Sequence, residues 1–196
     1  MALANLLADI RACRACAHEL AHEPRPVVRV SPQTRLLICG QAPGRRVHES
    51  GLPFDDPSGE RLRAWLGVDR ATFYGRAEIG VAAMAFCYPG TVPRGGDRPP
   101  PRRCADLWRR PLLGLLPDVE LTLLVGGHAQ RGALGDSRPM EAVVRDWRAH
   151  LPAALPLPHP SWRNTGWLRR NPWFEAEILP YLQGRVAQIL NCDASS

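Results

Sequence analysis

There is no lysine anywhere in the 196 residues; all 25 basic side chains are arginine. No side chain can therefore form a Schiff base with an aldehyde or a sugar, which excludes lysine-dependent lyase, aldolase and pyridoxal chemistry. A Walker-type phosphate loop is excluded as well, because it needs its lysine. Long apolar runs are also missing, and those present are far too short to cross a bilayer. The first residues, MALANLLADIRAC, have no cationic start and carry Asp9, so they do not read as a signal peptide. The expectation is a soluble cytoplasmic monomer with no membrane partner.

What remains is an ordinary globular composition, 45% hydrophobic, in a chain long enough to bury one real core. Residues 1–190 read as one domain, and the polar stretch 191–196 as a disordered tail. The net charge of +6 and pI near 9.4 point to an anionic partner, nucleic acid first. Cys13 and Cys16 form a C-x2-C pair, and Cys87 and Cys104 a C-x16-C pair around a proline-rich loop. Four thiolates suit either zinc or an iron–sulfur cluster; the wide second spacing fits a cluster better than a zinc ribbon. Cys39 ends an apolar run and reads as core, and Cys192 in the tail as incidental.

The spacing of apolar residues predicts a helix over 3–12, strands at 35–39, 78–86, 119–125 and 155–158, and helices near 57–66, 104–116, 128–134, 139–150 and 171–190. The 104–116 helix should be interrupted or kinked near Pro111. Asp56 is a candidate N-cap with Pro57 at the first helical position. The alternation of strand and helix argues for a three-layer α/β/α domain with a four-stranded, mostly parallel sheet. The proline-rich fourth strand belongs at or near an edge.

Ligands in such domains bind outside the carboxyl ends of the strands. The loops at 40–59, 126–128 and 159–171 emerge there. The first, GQAPGRRVHESGLPFDDPSG, can bring backbone N–H groups against a base or a phosphate. In it, Phe54 either offers a ring face to a flat ligand or plugs the loop from beneath. His48, Glu49, Asp55 and Asp56 are the groups nearby that could orient a water. His159 stands immediately after a strand, in His-Pro-Ser. Beyond it Trp162, Trp167 and Trp173 interleave with Arg163, Arg169 and Arg170, a pattern suited to phosphates and stacked bases. One or two of these tryptophans are expected in the core.

Taken together, Cys13 and Cys16, Gly40–Gly44, Gly51-Leu-Pro-Phe54, Gly59, Cys87, Cys104 and His159-Pro-Ser161 resemble the uracil-DNA glycosylase superfamily, in particular its bacterial and archaeal iron–sulfur branch. FCYPG, GGDRPP and HPSWRN also look like segments of bacterial glycosylase-family proteins. The resemblance implies a DNA-repair hydrolase that flips a base out of DNA and cleaves its N-glycosidic bond, leaving an abasic site without lyase activity. It implies that Phe54 stacks on the base and that Gly40, Gln41, Ala42 and Ala83 line its pocket. His159 would stabilise the departing anion through uracil O2, and Ser161, Trp162, Arg163, Asn164, Arg169 and Arg170 would meet DNA. Cys13, Cys16, Cys87 and Cys104 would hold a structural [4Fe–4S] cluster, with zinc the alternative on the same residues.

Three positions depart from that branch. Gln41 stands where it has Glu, Ala42 where other branches have Asp or Asn, and Ala83 where it has an Asn that reads the base. Gln41, His48, Glu49 or Asp55 then substitutes, or the base is another one, or turnover is reduced. Two further readings stay open: a non-catalytic iron–sulfur nucleic-acid-binding protein, and a hydrolase of free nucleosides or nucleotides.

Overall fold

A computed structural model of the chain describes residues 2–93 and 95–191. The first helix, α1 (Leu3–Ala12), buries Leu6, Leu7 and Ile10 and delivers Cys13 at its C-terminal end. Strand β1 (Leu36–Cys39) follows, buried at every position. The first loop holds a helix that sequence periodicity does not signal, α2 (Arg45–Ser50), with Val47 as its only buried residue. A six-residue helix with one apolar contact leaves no amphipathic pattern to read. Helix α3 (Pro57–Leu66) starts as expected: the Asp56 side chain accepts the Gly59 N–H at 2.8 Å, with Pro57 at the first position. A second unsignalled short helix, α4 (Arg70–Gly75), precedes β2 (Ile79–Val81).

Strand β2 is shorter than the apolar run 78–86 predicts. The Ala82 N–H still donates to the Ile38 carbonyl of β1 at 3.0 Å, and beyond it the chain follows the first loop: the Met84 and Ala85 N–H groups donate to the carbonyls of Gly40 and Gln41 at 2.9 and 3.1 Å. The helix expected over 104–116 lies over 102–113 and carries a π-helical turn in its middle. It runs as α5 (Arg102–Cys104), a π-helical turn (Ala105–Arg109) and α6 (Arg110–Leu113). Pro111 lacks the N–H that a regular i→i−4 ladder needs there. Strand β3 (Leu121–Val125), α7 (Gly127–Leu134), α8 (Met140–Arg145) and β4 (Ala154–Leu157) then alternate. Helix α9 (Thr165–Arg170) and the long α10 (Leu179–Asn191) complete the described chain. Asn191 thus belongs to a helix, and the remainder of the expected tail, with Cys192, lies outside the described residues.

The sheet is all parallel in the order β2-β1-β3-β4, which puts β4 and its Pro156 on an edge. Side chains alternate between its two faces. Leu36 and Ile38 pack with Leu62, Trp65, Phe174, Leu182 and Val186 on one side. On the other, Leu37 packs with Leu6, Ile10 and Leu112, and Cys39 with Leu124 and Ala129. Helices therefore cover both faces, the three-layer α/β/α arrangement that buries an all-parallel sheet. Among the described residues no helix is long and apolar enough to cross a membrane.

Candidate active site

Because all four strands run the same way, the segments after β1, β2, β3 and β4 gather at one edge. Those after β1, β2 and β4 enclose a cleft of about 560 Å³ lined by Gly40–Gly44, Phe54, Asp56, Ala83, Asp97, His159 and Trp162, with Arg45, Arg46, Arg61 and Arg163 around it. Gly40, Gln41, Ala42, Phe54, Ala83 and His159 are thus brought together as the sequence led one to expect.

Phe54 occupies the left-handed region, φ 58°, unusual for a bulky side chain and worth about 1–3 kcal/mol of backbone strain. Three neighbours hold it. The Tyr74 hydroxyl donates to the Pro53 carbonyl at 2.9 Å, the buried Arg63 guanidinium donates to the Phe54 carbonyl at 3.1 Å, and Arg70 pairs with the Asp55 carboxylate at 2.9 Å. Gly59 permits the fold-back: a Cβ there would fall 1.8 Å from the Phe54 carbonyl oxygen. The ring itself lies across Gly40, its tip 3.7 Å from where a Cβ on Gly40 would be.

His159 follows β4 and rests on Gly126, whose φ of 84° and empty Cβ position leave room for it. Its Nδ1 accepts the Ser161 N–H at 3.2 Å, and its carbonyl accepts the Asn164 amide at 2.8 Å. An accepting Nδ1 assigns the neutral tautomer with its proton on Nε2. Burial lowers its pKa below the ordinary histidine value, with Arg163 adding to the effect and Asp56 opposing it. The cleft therefore holds a neutral imidazole whose Nε2–H has no hydrogen-bond acceptor among the described residues.

The other candidates separate. Glu49 is exposed on α2 and does not line the cleft. Asp55 is turned to Arg70 and does not line it either. Their nearness to the first loop in sequence is not nearness to the cleft, because α2 and α4 redirect both. His48 packs instead beside His22 and Tyr88, with ring centroids 5.6 and 5.9 Å away. Gln41 lines the cleft, but its amide donates to the Arg98 carbonyl at 2.8 Å. Asp97, from the long loop before α5, is a carboxylate of the cleft that sequence proximity did not single out. Ser161, Trp162 and Arg163 line the rim, Trp162 with 76% of its surface exposed and Arg163 stacked 5.6 Å from its ring centroid. Asn164 serves the His159 loop, and Arg169 and Arg170 are exposed on α9 outside the cleft. Trp167 is buried and Trp173 packs against the same core, so two of the three tryptophans are structural.

Behind the cleft, Cys13, Cys16, Cys87 and Cys104 line one pocket walled by Ile10, Leu20, Phe86 and Trp108. All are free thiols. The Trp108 indole N–H points at Cys13 Sγ and the Phe86 N–H at Cys104 Sγ, each at 3.3 Å. Burial pushes the Cys87 thiol up to about 12 and the Cys104 thiol to about 11, with neighbouring cysteines adding to both. Among the described residues no group of three His, Cys, Asp or Glu side chains is drawn together tightly enough for a single metal ion. Cys39 is fully buried, its sulfur accepting from Arg109 at 3.1 Å.

The carboxyl edge of this parallel α/β/α domain thus carries an aromatic ring, a proton-bearing imidazole and a basic rim. The family model of the uracil DNA glycosylase superfamily matches residues 27–183, and the chain belongs to that superfamily. Its members are generally DNA glycosylases and act on DNA.

Proposed function

We propose that the protein is a monofunctional DNA glycosylase of the iron–sulfur branch, hydrolysing the N-glycosidic bond of uracil or a related deaminated base. The observation that carries this reading is the pairing of Phe54 with a neutral His159 in one cleft, the imidazole proton on Nε2. A base flipped from the duplex would stack on Phe54 while Nε2–H meets its O2. As the glycosidic bond breaks, negative charge grows on the base. A fixed donor in a buried site stabilises that charge without reorganising. Arg45, Arg46 and Arg163 would neutralise phosphates along the rim, and Trp162 would stack on or wedge beside a neighbouring base.

The four cysteines suit a [4Fe–4S] cluster: all four line one pocket, and N–H donors are aimed at two of the sulfurs. Such a cluster would supply structure, tying the end of α1 to the segment between Cys87 and Cys104. The absence of lysine agrees with hydrolysis that stops at the abasic site.

The test is a glycosylase assay on labelled oligonucleotides containing uracil, hypoxanthine or xanthine. Alkali-dependent cleavage that disappears in His159→Ala supports the reading and names the base. Protein purified without air that binds DNA but cleaves none of the three is instead a non-catalytic nucleic-acid-binding member. Cleavage confined to free nucleosides makes it a nucleoside hydrolase.

A further inference from the structure

Neither Gln41 nor Ala42 offers a carboxylate to the attacking water, and Glu49 and Asp55 lie elsewhere. Two carboxylates do line the cleft, Asp56 and Asp97. Asp56 is engaged: its Oδ1 caps α3 through the Gly59 N–H. No described residue hydrogen-bonds the Asp97 carboxylate, whose Oδ2 sits 3.7 Å from where a Cβ on Gly44 would be.

The segment carrying Asp97 is built to hold it. Thr91 and Asp97 form an antiparallel bridge, the Val92 N–H donates to the Gly96 carbonyl at 2.9 Å, and the Arg98 N–H to the Gly90 carbonyl at 2.8 Å. At one end the Gln41 amide donates to the Arg98 carbonyl at 2.8 Å. On the other side Gly96 and Gly95 face the Arg163 guanidinium, which would lie 3.5 and 3.8 Å from Cβ atoms placed there. The hairpin thus spans the cleft from the first loop to the loop after β4.

We propose that Asp97 is the catalytic carboxylate that orients the attacking water and takes its proton, and that Gln41 is a positioning residue that latches its hairpin over the cleft. This rests on the reading of the protein as a base-excising hydrolase. In the step, the C1′–N bond breaks with its electron pair leaving on the base. The water oxygen bonds to C1′, its proton passes to Asp97, and the base anion recovers a proton from solvent or from Asp97. Desolvation, reinforced by Asp56 and opposed by Arg163, raises the Asp97 carboxyl above its ordinary value and makes it a better base near neutral pH.

The experiment is single-turnover excision by the full chain on the base that the wild type removes, with DNA affinity measured alongside. Asp97→Asn should lower the rate by about 100-fold or more with DNA affinity retained. Sodium formate should restore part of the rate to Asp97→Ala, which a purely structural loss would not allow. Gln41→Ala should lower the rate in the wild type but add little in the Asp97→Asn background. An active wild type whose Asp97→Asn variant stays within about threefold of it overturns the role of Asp97 alone, as does loss on Asp56→Asn in its place. A wild type that excises no base overturns the hydrolase reading and the role of Asp97 with it.

Discussion

The Arg63 guanidinium, buried between α3 and the rings of Phe73 and Tyr74, donates to the carbonyl oxygen of Phe54 at 3.1 Å. This bond holds Phe54 in a conformation it would not adopt alone. Arg63→Met keeps much of the volume but leaves that carbonyl without its donor. A loss of about 1–3 kcal/mol in urea unfolding is expected, together with weaker binding to base-containing oligonucleotides. Gly59→Ala should be worse, about 3 kcal/mol or more, because its methyl group overlaps the same carbonyl. Melting midpoints equal to wild type for both variants would show that Phe54 is held by something else.

Much of the scaffold was legible because it is local. The cap at Asp56, the unbroken apolar run of β1 and the proline of β4 each act within a few residues of where they are read. Phe54 and His159 were legible because each follows a strand in a parallel sheet, and all such positions share one edge. What was not legible depends on contacts distant in sequence. Asp55 looked like an acid beside the pocket until Arg70 took it. Gln41 looked like a substitute for a catalytic acid until its amide met the Arg98 carbonyl, 57 residues away. Asp97 sat in a loop marked only by its length, and nothing within that loop announces that it folds back onto Gly44.

The pH response of His159 follows from its burial. Its native pKa lies below the ordinary value, so as pH falls below about 6.5 the unfolded chain takes up a proton before the native imidazole does. The stability linked to this group is fully present above that pH and is lost as pH falls through the native pKa. His48 and His128 are depressed too, also mainly by burial, so the signal is the difference between wild type and His159→Gln. The variant should show a shallower decline in urea midpoint between neutral and acid pH. Nitrogen NMR should find Nδ1 unprotonated at neutral pH, and parallel declines in the two proteins would remove His159 from the acid-side response.

The rim makes a separable prediction about salt. Arg163 lines the cleft and stacks on an exposed Trp162, so it is placed to meet a phosphate rather than to support the core. Arg163→Ala should weaken binding to every DNA sequence alike. It should also reduce the slope of log affinity against log salt by about 0.9 on duplex DNA, or about 0.7 on a single strand. Trp162→Ala should weaken binding by about 1–3 kcal/mol with the slope unchanged, since stacking releases no counterions. Fluorescence anisotropy over a salt series separates the two. An unaltered slope in Arg163→Ala would place the phosphate contact on Arg45 or Arg46.

The last prediction concerns the four thiols. In the protein alone, burial opposes ionisation of Cys16, Cys87 and Cys104, most strongly at Cys87, raised to about 12, and Cys104, raised to about 11. Thiolates become favourable there only beside strong positive charge, which an iron–sulfur cluster would supply and which the N–H donors from Phe86 and Trp108 would reinforce. Protein isolated without air should therefore be brown and carry iron and acid-labile sulfide in equal amounts. Cys87→Ser or Cys104→Ser should lose both. Each loss should lower the melting temperature, because these two residues bracket the hairpin that carries Asp97 and a cluster bound to them would anchor it to the end of α1. Trp108→Phe, which keeps the ring and removes only the donor to Cys13, should retain the iron but change the reduction potential of the bound group. Stoichiometric zinc without sulfide in wild-type protein would exclude the cluster.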